Sequence, residues 1–166
     1  VSEAASSLDR ARVLVARGRT EEAVLVLDEV LSADPADEGA LLLLAEVRLE
    51  ARAEAEALAL ARRAAALRPS SAPAKSALAR CLHATGHDDA ALEEATEARR
   101  LLDEGDNRRH AAVVYLTLVW CLREKRLLRE ALAVAEEGLA RVGDAVLAHW
   151  AGTIEEELAA AEQEEC

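Results

Sequence analysis

Few residues of this 166-residue chain have the types that do chemistry, and their spacing decides most of what they can do. The histidines are His83, His87, His110 and His149. His83 and His87 stand four apart, which on a helix would put two imidazoles on one face, as in a metal site. Asp88 and Asp89 could add oxygens. Gly86 falls between the two histidines at a predicted helix end, so they read as helix-end residues, and a metal site needs a complete ligand set. Cys81, Cys121 and Cys166 are odd in number and widely separated, which excludes a CxxC motif and a disulfide framework. Cys81 and Cys121 fall in apolar helical runs, where a reduced cysteine behaves as a small hydrophobe. There is no HExxH, no phosphate-binding glycine loop, and no Ser, His and Asp set inside a motif. Acidic pairs such as Glu136-Glu137 sit on helix exteriors, whereas carboxylates become catalytic only in a desolvated cleft. The expectation is a chain with no catalytic residues, no metal and no cofactor, and not an enzyme.

The composition says what elements must carry these residues. The chain is 52% hydrophobic and 31% charged, rich in Ala, Leu, Glu and Arg, with no Phe or Met. Tyr115, Trp120 and Trp150 are its only aromatic residues outside histidine. Ala, Leu, Glu and Arg are the strongest helix formers, and no alternating Val/Ile/Thr run resembles a strand. The fold class is therefore all-α. A formal charge of −12 disfavours nucleic acid, which needs a basic footprint, and disfavours an anionic membrane surface. No signal peptide and no long apolar span is seen, so membrane insertion is not expected and cytoplasm is the expected location. A start at Val1 is compatible with removal of an N-terminal segment.

Segments of the chain copy one another at an offset of 34 residues: Gly18, Arg52 and Gly86 align, as do Ala23, Ala57 and Ala91, and Pro35 and Pro69. Such a period marks a stacked-repeat architecture in which no unit buries its apolar face alone. Leu8, Ala11, Leu14 and Val15 form a first helix ending at Gly18, and Thr20 suits the N-cap of the next, which Pro35 closes. Leu41, Leu44, Ala45 and Leu49 open a second pair, and Ala57 to Leu67 complete it. Between Leu49 and Leu58 there is no Gly, Pro or Asn, and propensity alone would run one helix through; the register instead places a turn near Arg52. Ser70 or Ser71 can cap the third pair, which turns at Gly86 and runs on to Leu102. Asp103 to His110, with Gly105, is a polar break. After it the offset from Ala91 to Ala131 is 40. The fourth pair spans His110 to Lys125 and Leu127 to Arg141, and Asp144 restarts a last helix that ends in a run of Glu.

On these residues the chain resembles the tetratricopeptide repeat family. Gly18-Arg19-Thr20-Glu21-Glu22-Ala23 is similar to that family's Gly-polar-polar-acid-acid-Ala turn, as are Gly86 to Ala91 and Arg126 to Ala131. Asp34-Pro35 and Arg68-Pro69 match its closing position, and Ala11, Ala45 and Ala79 its small residue in the first helix; Val119 departs. The repeats are degenerate: the early aromatic of the first helix is Ser7, Leu41 and Lys75, and only Tyr115 fits, while Asp103 and Gly143 replace the closing Pro. The resemblance implies an all-α, right-handed helical-repeat solenoid of about four antiparallel pairs plus a C-terminal capping helix. It divides a single domain, 1–166, into repeats at about 4–37, 38–71, 72–105 and 112–145, with a cap at about 144–164. Ala23, Ala57, Ala91 and Ala131 should be buried where paired helices cross.

The resemblance also implies binding, with the first helix of each pair lining a concave face where peptides or partner helices lie. The chaperone-tail clamp known in that family has its places here filled by Leu8, Arg12, Leu43, Pro73 and Ala77, of which only Arg12 is basic, so that clamp is not expected. Projected on the concave face are Arg12, Val15, Leu42, Glu46, Leu49, Arg80, His83, Leu116, Trp120 and Arg123, with Leu8 and Ser76. An aromatic residue and three guanidinium groups are types that anchor interfaces. In the alternative, Trp120 fills core and each Arg pairs with a neighbouring Glu. The expected function is a scaffold or adaptor that holds a partner protein or peptide with acidic and apolar anchors. Its rivals are self-association into a homo-oligomer and a regulatory or sensor module cut from a larger protein.

Overall fold

The computed structural model describes residues 3–102 and 108–164. The break expected at Asp103, with Gly105, lies outside the described residues up to position 107, as do Glu165 and Cys166. Among the described residues there are nine α-helices and no strand. They are α1 (Glu3–Ala16), α2 (Thr20–Ala33), α3 (Glu38–Glu50), α4 (Glu54–Leu67), α5 (Ala72–Ala84), α6 (Asp88–Leu101), α7 (Arg108–Glu124), α8 (Leu128–Val142) and α9 (Ala145–Glu164).

The turn inside each pair has one geometry, whatever residue occupies it. Gly18, Arg52, Gly86 and Arg126 all sit at positive φ, at 72°, 60°, 77° and 61°. In each the next amide reaches back to close the helix: Arg19 N to Leu14 O at 2.9 Å, Ala53 N to Arg48 O at 2.9 Å, His87 N to Leu82 O at 2.9 Å and Leu127 N to Leu122 O at 3.0 Å. The amide of the left-handed residue itself donates to Val15, Leu49, His83 or Arg123 O. These two bonds define the Schellman motif, which satisfies the orphan carbonyls of a helix end. The turn near Arg52 thus forms against local propensity.

Helices that follow a Schellman turn have no side-chain cap. Thr20 is the first residue of α2 rather than its N-cap; Arg19 holds that place without a side-chain bond. The same is true of Ala53, His87 and Leu127. Side-chain caps appear where one pair hands over to the next. Asp37 Oδ1 accepts from Ala40 N at 2.8 Å, Ser71 Oγ from Ala74 N at 3.2 Å, and Asp144 Oδ1 from Val146 N at 2.9 Å.

Packing follows from alanine. Ala23, Ala57, Ala91 and Ala131 are fully buried, as are Ala11 and Ala79, with Ala45 nearly so. Small side chains at these places let paired backbones approach closely. The backbones of the odd-numbered helices approach their neighbours in series (α1 to α3, α3 to α5, α5 to α7, α7 to α9), whereas among the described residues no two of α2, α4, α6 and α8 bring their backbones so close, and α6 reaches α8 through the Arg99–Glu137 side chains. A stack whose inner row is in contact and whose outer row is splayed is concave on the inner side. α1 and α2 make no contact with α7, α8 or α9, so the array is open at both ends. No helix among the described residues is long and apolar enough to cross a membrane.

The fourth pair departs from the others in size. Tyr115 is buried under α8, and an added Cβ on Gly138 would lie 2.7 Å from Tyr115 Cγ. A large residue on the inner helix is matched by a glycine on the outer one. The Tyr115 hydroxyl donates to Glu137 Oε1 at 2.8 Å, and Arg99 of α6 donates to the same carboxylate. Burial raises the Glu137 pKa, but the hydrogen bonds from Arg99 and Tyr115 outweigh it and hold the carboxyl below its ordinary value.

Candidate functional site: the inner face

Four successive inner helices wall one cleft of about 540 Å³. Arg12 comes from α1, Leu42, Glu46 and Leu49 from α3, Ala77 and Arg80 from α5, and His110 and Val113 from α7. Residues three and four apart share a helix face, which is how Leu42, Glu46 and Leu49 reach one wall. Among the charged lining residues, Arg12 and Arg80 offset Glu38 and Glu46, so the cleft is close to neutral inside a chain of charge −12. Arg12 Nη1 lies 3.1 Å from Asp9 Oδ1 of its own helix, and Arg80 Nη1 lies 3.9 Å from Glu46 Oε1.

The rest of the expected inner-face residues fall into a second group nearer the C-terminus. Trp120 is 36% exposed, so it does not fill core. His83 packs on it edge-on, with ring centroids 4.2 Å apart at 64°. His83 Nδ1 is also 2.7 Å from Asp88 Oδ1. Arg123 of α7 is held by α9: its Nε donates to Glu157 Oε1 at 3.0 Å, Nη2 contacts the same oxygen, and its guanidinium carbon lies 5.0 Å from the Trp150 ring centroid. Val15 and Leu116 are partly buried against core. Ser76, projected onto the concave face, is instead buried. Thr117 Oγ1 donates to Val113 O at 2.8 Å, so Ser76 is the donor in its 3.0 Å contact with Thr117 across α5 and α7.

The remaining chemistry resolves into structural roles. His87 Nδ1 sits 3.0 Å from Thr85 Oγ1 while His83 engages Asp88, so the two histidines serve different partners. Among the described residues no three of His, Cys, Asp and Glu gather as metal ligands would. Burial raises both thiol pKa values, that of Cys121 to about 11 with a further push from Asp88. Such thiols are weak nucleophiles at neutral pH.

Sequence reasoning missed His110, Val113, Trp150 and Glu157. α7 has 17 residues against 13 in α3 and α5, and its extra first turn carries His110 to the cleft, while Val113 lines it at the place that Pro73 holds in α5. Asp144, an N-cap like Asp37, was the available signal that α9 enters the stack as another inner helix and brings Trp150 and Glu157 with it.

Residues 4–47 match the family profile of the tetratricopeptide repeat. No curated protein matches the chain significantly by sequence. Solved structures match over nearly its whole length. A thermophilic TPR protein of Thermus thermophilus superposes with a TM-score of 0.80 at 19% identity, covering 93% of this chain and 82% of that one. Pseudomonas aeruginosa pilF gives 0.76 at 20% identity, over 96% of this chain and 72% of that one. YrrB, described as a TPR protein with an unusual peptide-binding site, gives 0.61 at 18% identity, over 92% and 76%. The fold is a helical-repeat solenoid of the tetratricopeptide type, and the match to that family's profile lies in residues 4–47. This is a fold that generally mediates protein–protein interaction.

Proposed function

We propose that the chain is a non-enzymatic scaffold or adaptor whose inner face holds a peptide or helix of a partner protein. The observation that carries this reading is the cleft itself, walled by four successive inner helices and lined by apolar and charged groups in a near-neutral balance. The domain reading proposed with it is one solenoid over 1–166, with repeats at about 4–37, 38–71, 72–105 and 112–145 and a capping helix at about 144–164. Two groups serve the partner. Arg12, Leu42, Leu49 and Arg80 hold it in the cleft that Glu46 also lines, and His83, Leu116, Trp120 and Arg123, with Val15 supporting α1, extend the contact toward α9. The favoured partner carries acidic and apolar anchors, since guanidinium groups pair with carboxylates and the leucines and Trp120 accept side chains. Long-range steering toward such a partner is opposed by the net charge, so selectivity comes from contact rather than attraction at a distance.

The test is a pair of substitutions on opposite faces. Trp120→Ala should cost about 2 kcal/mol of partner binding or more, the range of an interface anchor. Leu67→Ala, on outer helix α4 and 45% exposed, should leave affinity unchanged. Equal affinity of the folded Trp120→Ala variant and the wild type would remove Trp120 from the interface and defeat this reading.

A further inference from the structure

We propose that Arg80 is the residue of the cleft that recognises a carboxylate, and that Glu46 competes for it from within the chain; this rests on the inner-face reading above. The reason is an unfilled guanidinium. Arginine presents five N–H donors in a planar fork that fits a carboxylate with two parallel bonds. Four arginines elsewhere in the structure use that fork on a carboxylate. Arg19 closes on Glu22 with two bonds of 2.6 Å, and Arg100 on Glu97 with bonds of 2.7 and 2.6 Å. Arg99 and Arg123 likewise engage Glu137 and Glu157 through both Nε and Nη2. Arg80 is the exception inside the cleft: it faces Glu46 at 3.9 Å, too far for a hydrogen bond, and makes none to any described residue.

Its surroundings leave the place open to an incoming acid. The Arg80 side chain is 29% exposed, so its charge is better shielded from water than that of a free surface arginine. Glu46 is 46% exposed and can swing toward solvent. The other lining acid, Glu38, already accepts from the Ser71 hydroxyl. Arg12 is more exposed and already bonded through Nη1 to Asp9 on its own helix, and Arg123 is closed by Glu157, so Arg80 is the better shielded of the two cleft arginines and the one with no hydrogen bond of its own. A partner carboxylate entering beside Leu42, Leu49 and Ala77 would take the two N–H bonds that Glu46 does not make, and Glu46 would turn outward. Arg80 thereby sets the acidic preference of the site, and Glu46 sets how much affinity is withheld.

The experiment selects a phage-displayed library of random dodecamer peptides on the intact protein, then measures the enriched peptides by fluorescence anisotropy on three variants checked for folding by circular dichroism. Enriched peptides should carry Asp, Glu or a free C-terminal carboxylate beside Leu or an aromatic residue. Arg80→Gln should weaken them about tenfold, the scale of a charged hydrogen bond. Arg80→Lys, which keeps charge without the fork, should fall between. Glu46→Gln should tighten the same peptides several-fold, a gain that misfolding cannot produce. Enriched peptides with no acidic excess, or no gain with Glu46→Gln, would overturn the assignment of Arg80 and Glu46 while leaving the inner-face reading intact. No enrichment at all would overturn both.

Discussion

Replacing Gly138 with alanine adds a single methyl group, and the structure puts it where there is no room. A Cβ at this position would stand 2.7 Å from Tyr115 Cγ, 2.9 Å from Tyr115 Cβ and 3.0 Å from Leu147 Cδ1. Two of these atoms are at the root of the tyrosine side chain, so a change of rotamer tip does not relieve the contact. Tyr115 is 1% exposed and its hydroxyl is tied to Glu137 on the same helix as Gly138, and Leu147 is fully buried. Overpacking of a filled core costs about 1–3 kcal/mol. Against this, Gly→Ala in a helix interior gains about 1 kcal/mol of propensity. The net expectation is a loss of up to about 2 kcal/mol, and α8 should move off α7 slightly. Gly152 on α9 is the control, because an added Cβ there meets nothing within 4 Å. Gly152→Ala should therefore stabilise by up to about 1 kcal/mol. Urea denaturation followed by circular dichroism measures both, with an unchanged m-value required for the comparison. Tyr115→Leu in the Gly138→Ala background should recover part of the loss, giving a coupling term in a double-mutant cycle. A Gly138→Ala variant as stable as Gly152→Ala would refute the claim that Tyr115 is seated on the backbone of α8.

The remaining predictions concern turns, crossings and pH. Arg52→Gly should stabilise by about 0.5–1 kcal/mol, because a non-glycine residue at positive φ is strained, and Gly18→Ala should destabilise by about 1 kcal/mol for the same reason; thermal melts of the two variants shifting in the same direction would contradict this. Ala57→Leu should cost about 1–3 kcal/mol, since Ala57 is fully buried at a helix crossing; chemical denaturation checks it. The Glu137 carboxyl is held below its ordinary value, so its contribution is present at neutral pH and is lost as pH falls through the folded-state pKa. Glu137→Gln should then show a shallower loss of stability on acidification than the wild type, read from melts across the acid range.

The pattern of alanines and turns was legible because each repeat must solve the same packing problem at the same place. Arg52 shows its strength: composition around it favours an unbroken helix, yet its backbone takes the left-handed turn that the register demands. Thr20 shows a limit, since a Schellman turn supplies the entry to α2 and leaves no place for a capping side chain. The inner-face residues were legible one helix at a time, but how they group depends on contacts between repeats. Arg123 and Arg80 look alike in the sequence; only the position of Glu157 on α9 closes one fork and leaves the other open. Ser76 is drawn from the face into the α5–α7 contact by Thr117, a residue 41 positions away that no local period indicates.

The central claim, that the inner face holds the partner, is tested most directly by site-specific photo-crosslinking in the native host. A benzoylphenylalanine at Val113, 38% exposed and on the cleft wall, should form a covalent adduct with the partner on irradiation. The same group at Leu25, 64% exposed on outer helix α2, should form none. Adducts at Leu25 with none at Val113 would place the partner on the outer surface and contradict the account.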